Sequence, residues 1–122
     1  MQDYLKKRIA PYDAFLKCQN HMIELAKAYV ERLVLRNFAL KIDNTKEGPE
    51  KDALSKLCDL YALSIIEEHK GWYLESDYVD GSKTKAIRRL VTKLCAEIRP
   101  DAVAYVDAFG IPDELLGAEI IK

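Results

Sequence analysis

The residues of this chain that are able to do acid–base or metal chemistry begin with His21, which lies one helical turn from both Cys18 and Glu24. A His–Glu pair at this spacing can move protons or supply half of a metal site. No second such motif occurs in the chain, and two ligands do not complete a metal site. We therefore predict no catalytic residue and no metal site, and assign His21 to a surface or interface. His69, in EEHKGW, is predicted at a helix end, where a cationic side chain complements the helix dipole.

The three cysteines, Cys18, Cys58 and Cys95, form a poor framework for disulfides, because their number is odd and their spacing is wide and irregular. No basic cluster adjoins any of them in sequence, so nothing marks one as an activated thiol. Each sits among apolar neighbours in a helical pattern. We predict buried, reduced thiols that pack as small hydrophobic side chains, as expected in a reducing compartment.

Two charged features leave alternatives open. Arg99, Asp101 and Asp107 flank Pro100. Capping of a broken helix is favoured over pairing among the three and over contact of Arg99 with a phosphate. A helix farther upstream has a basic face, for which a solvated role is favoured over contact with an anionic cofactor or acidic partner. That face comprises Lys83, Lys85, Arg88, Arg89 and Lys93.

The elements that position these residues are predicted to form one domain, 1–122. The chain has 122 residues, 49% hydrophobic and 32% charged, with a formal net charge of −1. This balance gives no basic surface for nucleic acid, and no apolar run approaches the roughly 20 residues of a membrane span. We therefore expect neither a nucleic-acid nor a membrane partner. No nucleotide-binding loop, carboxylate pair or catalytic triad is readable, so cofactor-binding residues remain unknown.

Hydrophobic spacing predicts three long helices. After a short charged lead-in, 1–10, with Pro11 in a first-turn position, the first helix runs from about 12 to 42. Its main face is predicted from a three–four spacing, with a second group beside it. The main face comprises Phe15, Cys18, Met22, Leu25 and Tyr29, and the second group comprises Leu16, Ile23, Ala26, Val30, Leu33 and Val34.

Two loops separate the helices, at 43–52 and 76–82. The second helix is predicted from about 50 to 75, either continuing through Gly71 or bending there. It has two apolar faces, one of Leu54, Leu57, Cys58, Tyr61 and Ile65, the other of Leu60, Leu63 and Ile66. Near its end, Trp72, Tyr73 and Tyr78 are predicted core or interface anchors.

The third helix is predicted over 83–98, with Ser82 as its N-cap. Its inward residues are predicted to be Ile87, Leu90, Val91, Leu94, Cys95 and Ile98.

Pro100 should end or kink the third helix near residues 98–99, because proline lacks the backbone donor and clashes with the preceding turn. A short helix then restarts over 101–109, with Gly110 as its C-terminal cap and a last turn over 112–116. Within that helix, Ala102, Val103 and Val106 are predicted on one side, and Tyr105 and Phe109 on the other. The fold class is therefore all-α: an antiparallel helical bundle of three long helices plus a proline-broken C-terminal helix.

The two longest helices are apolar on more sides than such a bundle buries. Large exposed apolar patches usually mark interaction sites. We therefore expect apolar surface to remain after the chain packs on itself, and we expect a partner to cover it.

Three segments carry a resemblance to a known family. LCDLYALSIIEEHKGWYLE (57–75) and LCAEIRPDAVAYVDAFGIPDELL (94–116) closely resemble the C-terminal α-helical domain of acyl-CoA oxidases, and FLKCQNHMIELAKAYVERLVLRNF (15–38) resembles the preceding helix. The segment RPDAVAYVDAF is the most specific. The resemblance covers nearly the whole chain in the right order.

The resemblance implies an FAD-dependent parent enzyme that converts acyl-CoA and O2 to trans-2-enoyl-CoA and H2O2 in fatty-acid β-oxidation. Members of the family are dimers whose flavin, substrate and catalytic glutamate lie in the earlier domains. None of the glutamates here matches that base, so the fragment is expected to hold no FAD and to be inactive alone. Its expected partners are the remaining domains of the parent and a second copy.

The alternatives are a stand-alone helical interaction module, homodimeric and derived from that domain, and a small enzyme or acyl-ligand carrier with an internal cavity. The family is peroxisomal in eukaryotes, whereas a bacterial protein would be cytoplasmic. The opening MQDYLKKRIAPYD does not read as a signal peptide, and the final EIIK is not an SKL-type address.

Overall fold

The computed structural model describes residues 10–112, 115 and 117. The chain divides into two compact units, 1–46 and 47–122. The first unit contains helix α1, Pro11–Asp43. The second contains α2 (Pro49–Glu68), α3 (Lys70–Glu75), α4 (Gly81–Ile98), a 3₁₀ turn (Arg99–Asp101) and α5 (Ala102–Asp107). Every regular element of the described residues is helical, which confirms the all-α fold class. Residues 1–9 of the predicted lead-in lie outside the described residues.

Helix α1 has the predicted extent. It begins at Pro11, whose missing N–H costs nothing in a first turn. At the other end, the Asn44 side-chain amide donates to the Leu40 carbonyl at 2.7 Å, and the Thr45 hydroxyl donates to the Lys41 carbonyl at 2.7 Å. These two bonds satisfy carbonyls that a helix end otherwise leaves unpaired.

The first loop is shorter than predicted, 44–48 instead of 43–52. Helix α2 begins at Pro49, which occupies its first turn, and Glu50 and Asp52 add negative charge where the helix dipole is positive. The proline that was read as part of the loop therefore starts the helix.

Helices α2 and α4 pack as an antiparallel pair, and two ion pairs fix this direction. Glu67, late in α2, accepts from Arg88 Nε, early in α4, at 2.7 Å. Lys56, early in α2, lies 3.7 Å from a carboxylate oxygen of Glu97, late in α4. The pair nearer the connection between the helices, Glu67–Arg88, is closer in sequence than Lys56–Glu97, as antiparallel packing requires.

The face of α4 that is withdrawn from solvent is narrower than predicted. Ile87, Val91 and Leu94 are half-buried and Ile98 is buried, in an alternating spacing of four, three and four residues. The predictions that Leu90 and Cys95 point inward are wrong, since both are exposed. At 3.6 residues per turn, Leu90 and Cys95 each point about 70° away from the mean direction of the stripe, on opposite flanks of it.

The second predicted helix, 50–75, is two helices, and the break is at His69 instead of Gly71. His69 has φ −96° and ψ 19°, outside the helical well, while its N–H still donates to the Ile65 carbonyl at 3.0 Å. Nothing lies within 4 Å of a Cβ built on Gly71, so the packing there does not demand glycine. His69 itself occupies the C-cap of α2, at the helix end where it was predicted.

The N-cap of α4 is Asp80, and the prediction of Ser82 is wrong. An Asp80 carboxylate oxygen accepts from the backbone N–H groups of Ser82 and Lys83, both at 2.8 Å, and from the Ser82 hydroxyl. Helix α4 begins at Gly81, so Ser82 already lies inside its first turn, and Asp80 holds the position from which a side chain reaches the free N–H groups.

The cap makes helix stability depend on pH. The hydrogen bond from the Ser82 side chain, followed by that from the Lys83 backbone, holds the pKa of Asp80 below its ordinary value of 3.8. Because the pKa of Asp80 is lowered in the folded state, the stability that its carboxylate adds to the fold is fully present above pH 3.8. That stability is lost as the pH falls through the lowered pKa. We expect Asp80→Ala to lower the melting temperature by a few degrees at pH 7 and less at pH 3.

Thermal unfolding followed by circular dichroism measures this effect. Asp80→Asn is the control, because it keeps an oxygen acceptor at the N-cap without a titrating carboxyl group. A melting-temperature difference between wild type and Asp80→Ala that stays constant from pH 7 to pH 3 would contradict the assignment.

The proline break is confirmed. Helix α4 ends at Ile98, Pro100 lies in the 3₁₀ turn, and α5 restarts at Ala102. Gly110 has φ +62°, a left-handed conformation that favours glycine, and its N–H donates to the Asp107 carbonyl at 2.9 Å. Of the predicted last turn, residues 113, 114 and 116 lie outside the described residues, while the Leu115 N–H donates to the Pro112 carbonyl at 3.0 Å.

Candidate functional site

Exposed apolar side chains run along most of α1. Most side chains of the predicted main face and of the second group beside it are exposed. Leu25 is 73% exposed, Tyr29 61% and Val30 56%. We name as the α1 apolar face the exposed residues Phe15, Leu16, Met22, Ile23, Leu25, Ala26, Tyr29, Val30, Leu33 and Leu40. Of the predicted set, Cys18 and Val34 are half-buried.

A second apolar surface follows the proline break. Val103 and Val106 of α5 are exposed by 74% and 68%, Phe109 just after the helix by 77%, and Ile111 follows them. We name these four residues the C-terminal apolar face. Tyr105, by contrast, is half-buried. Four exposed large apolar side chains in so short a segment form the kind of patch that usually marks an interaction site.

The described part of the chain buries little apolar surface of its own. Its buried hydrophobic residues are Ala14 and Ile98, while the apolar residues of α2 are half-buried on both predicted faces. Chains of this size normally bury many large side chains. The sequence-based expectation that apolar surface remains after folding is therefore met by the structure.

The structure does not bring His21 and Glu24 together as a proton-transfer pair. The Glu24 carboxylate pairs with Lys27 at 3.0 Å, and His21 is exposed. Across residues 10–112, 115 and 117, no group of three His, Cys, Asp or Glu side chains is placed to hold a metal ion. The predicted motif therefore lies on an open helix surface.

The three thiols are free but differ in environment. Cys18 and Cys58 are half-buried, and Cys95 is exposed, so the prediction of uniformly buried thiols is wrong. Burial, followed by the charge of Asp59, raises the pKa of the Cys58 thiol. A raised pKa lowers the fraction of reactive thiolate at a given pH.

We expect iodoacetamide to modify Cys95 several-fold faster than Cys58 at pH 8, because Cys95 is exposed and Cys58 has less thiolate. The modification rate of Cys58 should also begin to rise at higher pH. Peptide mass spectrometry over a time course measures both rates. In a denaturant the rates should converge, whereas faster modification of Cys58 in the native protein would contradict the assignment.

The charged residues around the proline do not pair with one another. Asp101 occupies the N-cap position of α5, but its side chain accepts no cap hydrogen bond, so the capping interpretation holds only for its position. Within the described part of the chain, no ion pair joins Arg99 to Asp101 or Asp107. Nothing in this geometry forms a phosphate site.

Most of the basic face of α4 is engaged within the molecule. Arg88 binds Glu67 at 2.7 Å, Lys93 lies 3.7 Å from Glu97, and Lys83 lies 4.0 Å from Asp80. These contacts are partly or largely solvent-exposed, so each contributes little stability. Arg88 therefore links α4 to α2, and the other basic side chains of the face lie in solvent.

Trp72, Tyr73 and Tyr78 form a compact cluster at the end of α3. The Trp72 and Tyr78 rings stack at a centroid distance of 5.6 Å and an interplanar angle of 19°, and Tyr73 meets Trp72 edge-on at 5.2 Å. Aromatic pairs of this kind order a turn. Trp72 is 58% and Tyr78 68% exposed, so this aromatic cluster does not lie in a core.

A shallow depression on the α1 apolar face is lined by Ile23, Ala26, Lys27, Val30 and Glu31. All its lining comes from one helix and it opens to solvent, so it forms no chamber for an acyl chain. Among the described residues, no buried side-chain nitrogen or oxygen lacks a hydrogen-bond partner. No helix of that part of the chain combines the length and apolarity needed to cross a bilayer.

Comparisons with known proteins agree on one family. The sequence model of acyl-CoA oxidase matches residues 1–120. Peroxisomal acyl-coenzyme A oxidase 2 of Arabidopsis thaliana is 37% identical over 114 residues, covering 93% of this chain and 16% of the relative. Peroxisomal acyl-coenzyme A oxidase 2 of Mus musculus is 30% identical over 120 residues, covering 98% of this chain and 18% of the relative.

The fold comparison gives the same answer. The crystal structure of acyl-coA oxidase3 from Yarrowia lipolytica superposes with a TM-score of 0.77 at 26% identity, covering 98% of this chain and 17% of that chain. The chain therefore spans less than a fifth of the length of each of these three proteins.

Proposed function

This chain belongs to the acyl-CoA oxidase family, and on that premise we propose that it serves as the C-terminal helical domain of an FAD-dependent oxidase. The parent reaction takes acyl-CoA and O2 to trans-2-enoyl-CoA and H2O2, within fatty-acid β-oxidation. The domain's role is structural: it docks on the remaining domains and contributes to dimerisation. It supplies no catalytic residue.

The observation that carries this proposal is the exposed C-terminal apolar face. Val103, Val106 and Phe109 are each more than two-thirds exposed, on a helix held in place by the proline turn. Covering such side chains gains roughly 25 cal/mol per Å² of apolar surface. Because the chain spans less than a fifth of the Arabidopsis thaliana and Yarrowia lipolytica oxidases described above, the remaining domains of such an oxidase are the natural source of that cover.

The described residues do not fit a flavin. A dinucleotide cofactor needs a deep cleft with convergent polar groups. The depression on α1 is shallow, opens to solvent and is lined by a single helix, and no buried polar side-chain atom of residues 10–112, 115 and 117 lacks a hydrogen-bond partner. We therefore assign FAD and the acyl-CoA substrate to the other domains of the parent.

The test is spectroscopic and enzymatic. The purified 122-residue chain should show no flavin absorbance after incubation with FAD, and no H2O2 from acyl-CoA in a peroxidase-coupled assay. A stoichiometric flavin with turnover would contradict the structural role and assign catalysis to this chain.

The compartment that we expect for the parent oxidase depends on whether its source organism is eukaryotic or bacterial. Two relatives are named as peroxisomal enzymes. We propose a peroxisomal parent if the source is eukaryotic and a cytoplasmic one if it is bacterial. Fluorescence microscopy of the full parent protein, tagged at its N-terminus, tests this assignment in the source organism.

A further inference from the structure

The aromatic cluster of Trp72, Tyr73 and Tyr78 is ordered and yet open to solvent. Trp72 and Tyr78 stack nearly parallel, and Tyr73 stands edge-on to both, at centroid distances of 5.2 Å from Trp72 and 6.3 Å from Tyr78. Each ring therefore restricts the rotation of the other two. More than half of the surface of Trp72 and of Tyr78 remains exposed. Tryptophan and tyrosine side chains held in this way are frequent anchors of protein interfaces.

The backbone holds Tyr78 over the end of α3. The Tyr78 N–H donates to the Tyr73 carbonyl at 3.0 Å, and the Asp77 N–H donates to the Leu74 carbonyl at 3.2 Å. Asp77 has φ +56°, a left-handed conformation that glycine adopts most readily and aspartate tolerates. These two hydrogen bonds end the helix and reverse the chain. The turn therefore fixes the position of Tyr78 without a ligand.

The segment that carries the rings is acidic. Residues 71–82 contain Glu75, Asp77 and Asp80 and no lysine or arginine. Asp80 caps α4, whereas Glu75 and Asp77 are exposed. In the described part of the chain, no basic side chain forms an ion pair with Glu75 or Asp77. Two carboxylates without a countercharge therefore lie within a few residues of the stacked rings in sequence.

An aromatic face and a carboxylate both attract a cation. The face of an indole or phenol ring carries negative charge density. A flat guanidinium group stacks on such a face, and its N–H groups stay free to bind a carboxylate. A lysine ammonium is a point charge without a plane. Stacked rings with two unpaired carboxylates beside them therefore favour arginine as the ligand.

We propose that the aromatic cluster binds an arginine side chain on an exposed segment of a second protein. The guanidinium lies on the open face of the Trp72–Tyr78 stack, and Glu75 and Asp77 supply the countercharge. This contact goes beyond the proposed function, because it uses a different surface. The cluster and the C-terminal apolar face adjoin opposite ends of α4, roughly 27 Å apart for 18 residues at 1.5 Å per residue.

The polarity of the cluster indicates a partner that binds and leaves. Permanent interfaces are large and hydrophobic, whereas transient ones are smaller. The C-terminal apolar face has the first character, since Val103 and Val106 are exposed and apolar. The aromatic cluster is small and is flanked by charge, which suits the second. We therefore assign the arginine to a separate protein and not to another domain of the parent.

Trp72 reports the contact directly, because it is the one tryptophan of the sequence. Its fluorescence is followed at low salt while the purified chain is titrated with an acetylated and amidated Gly-Arg-Gly peptide. We expect a saturable change. The matching citrulline peptide, which keeps the plane and loses the charge, should bind at least fivefold more weakly. The lysine peptide, which keeps the charge and loses the plane, should bind several-fold more weakly.

The titrations decide the proposal. No change in fluorescence, or equal affinities for the arginine and citrulline peptides, would overturn the site. An equal affinity for the lysine peptide would overturn the choice of arginine.

Substitutions locate the contact on the cluster. Tyr78→Leu removes one ring and keeps Trp72 as the reporter, so it should weaken binding of the arginine peptide at least fivefold. Tyr78→Phe keeps the ring and should bind like the wild type. Glu75→Gln should weaken binding several-fold, whereas Asp59→Asn, which neutralises an exposed carboxylate on α2, is the matched control and should leave it unchanged. Circular dichroism verifies that each variant keeps its helical content, and unchanged affinity in Tyr78→Leu would contradict the assignment.

The assignment to a second protein is tested in a chimera in which this chain replaces the matching region of the Arabidopsis thaliana relative. Fluorescence anisotropy of a labelled arginine peptide should give the same affinity for the chimera as for the isolated chain. Loss of peptide binding in the chimera would show that the domains of the oxidase itself cover the cluster, and would overturn this assignment.

Discussion

Ile98→Ala should lower the free energy of unfolding by about 3 kcal/mol, the cost of emptying a buried isoleucine site. Ile98 is 8% exposed and ends the stripe of α4 just before the proline turn, so its loss removes packing where the chain changes direction. For a unit of this size, that corresponds to a fall in melting temperature of more than about 10 °C. Thermal unfolding followed by circular dichroism measures the change.

Leu90→Ala is the matched control, in the same helix and with a loss of similar size. Leu90 is 46% exposed, so its truncation should cost less than about 1 kcal/mol. Equal falls in melting temperature for the two variants would show that the α4 stripe described above does not form the core.

Lysine at both Val103 and Val106 should abolish docking on the parent enzyme while leaving this chain folded. The assay uses a chimera in which the chain replaces the matching region of the Arabidopsis thaliana relative, which is 37% identical over 114 residues. We expect the chimera to retain flavin and oxidase activity. The double lysine variant should lose at least tenfold of that activity, because charges would enter an apolar contact.

Two controls separate docking from folding. In the isolated chain the two lysines should change stability by no more than about 0.5 kcal/mol each, as is usual for exposed sites. Ala104→Lys, exposed on the opposite side of α5, should leave the activity of the chimera unchanged. A fully active chimera with both lysines in place would show that the C-terminal apolar face is not a docking surface.

The helical elements could be predicted from the sequence because local signals mark them. Pro11 and Pro100 mark a helix start and a helix end, and Gly110 takes the left-handed conformation of a C-terminal cap. The start of α2 was missed because Pro49 was assigned to the loop on account of its Gly-Pro context. The cap of α4 was missed because aspartate and serine are both good N-caps, and only geometry distinguishes Asp80 from Ser82.

The inward or outward direction of individual side chains was harder to predict. Leu90, Cys95 and Phe109 belong to apolar patterns and are nevertheless exposed. Periodicity identifies an apolar face but does not say which part of it a neighbour covers. Surplus apolar surface, in contrast, follows from counting apolar faces against helices, and this expectation agrees with the exposures of Leu25 and Val103.

The ratio of bound flavin to polypeptide tests most directly whether this chain supports oxidase chemistry that other domains perform. It should be measured by absorbance on the purified chain and on the chimera. The account predicts no flavin in the isolated chain and one flavin per polypeptide in the chimera. One flavin per isolated chain, with H2O2 formed from acyl-CoA, would contradict it.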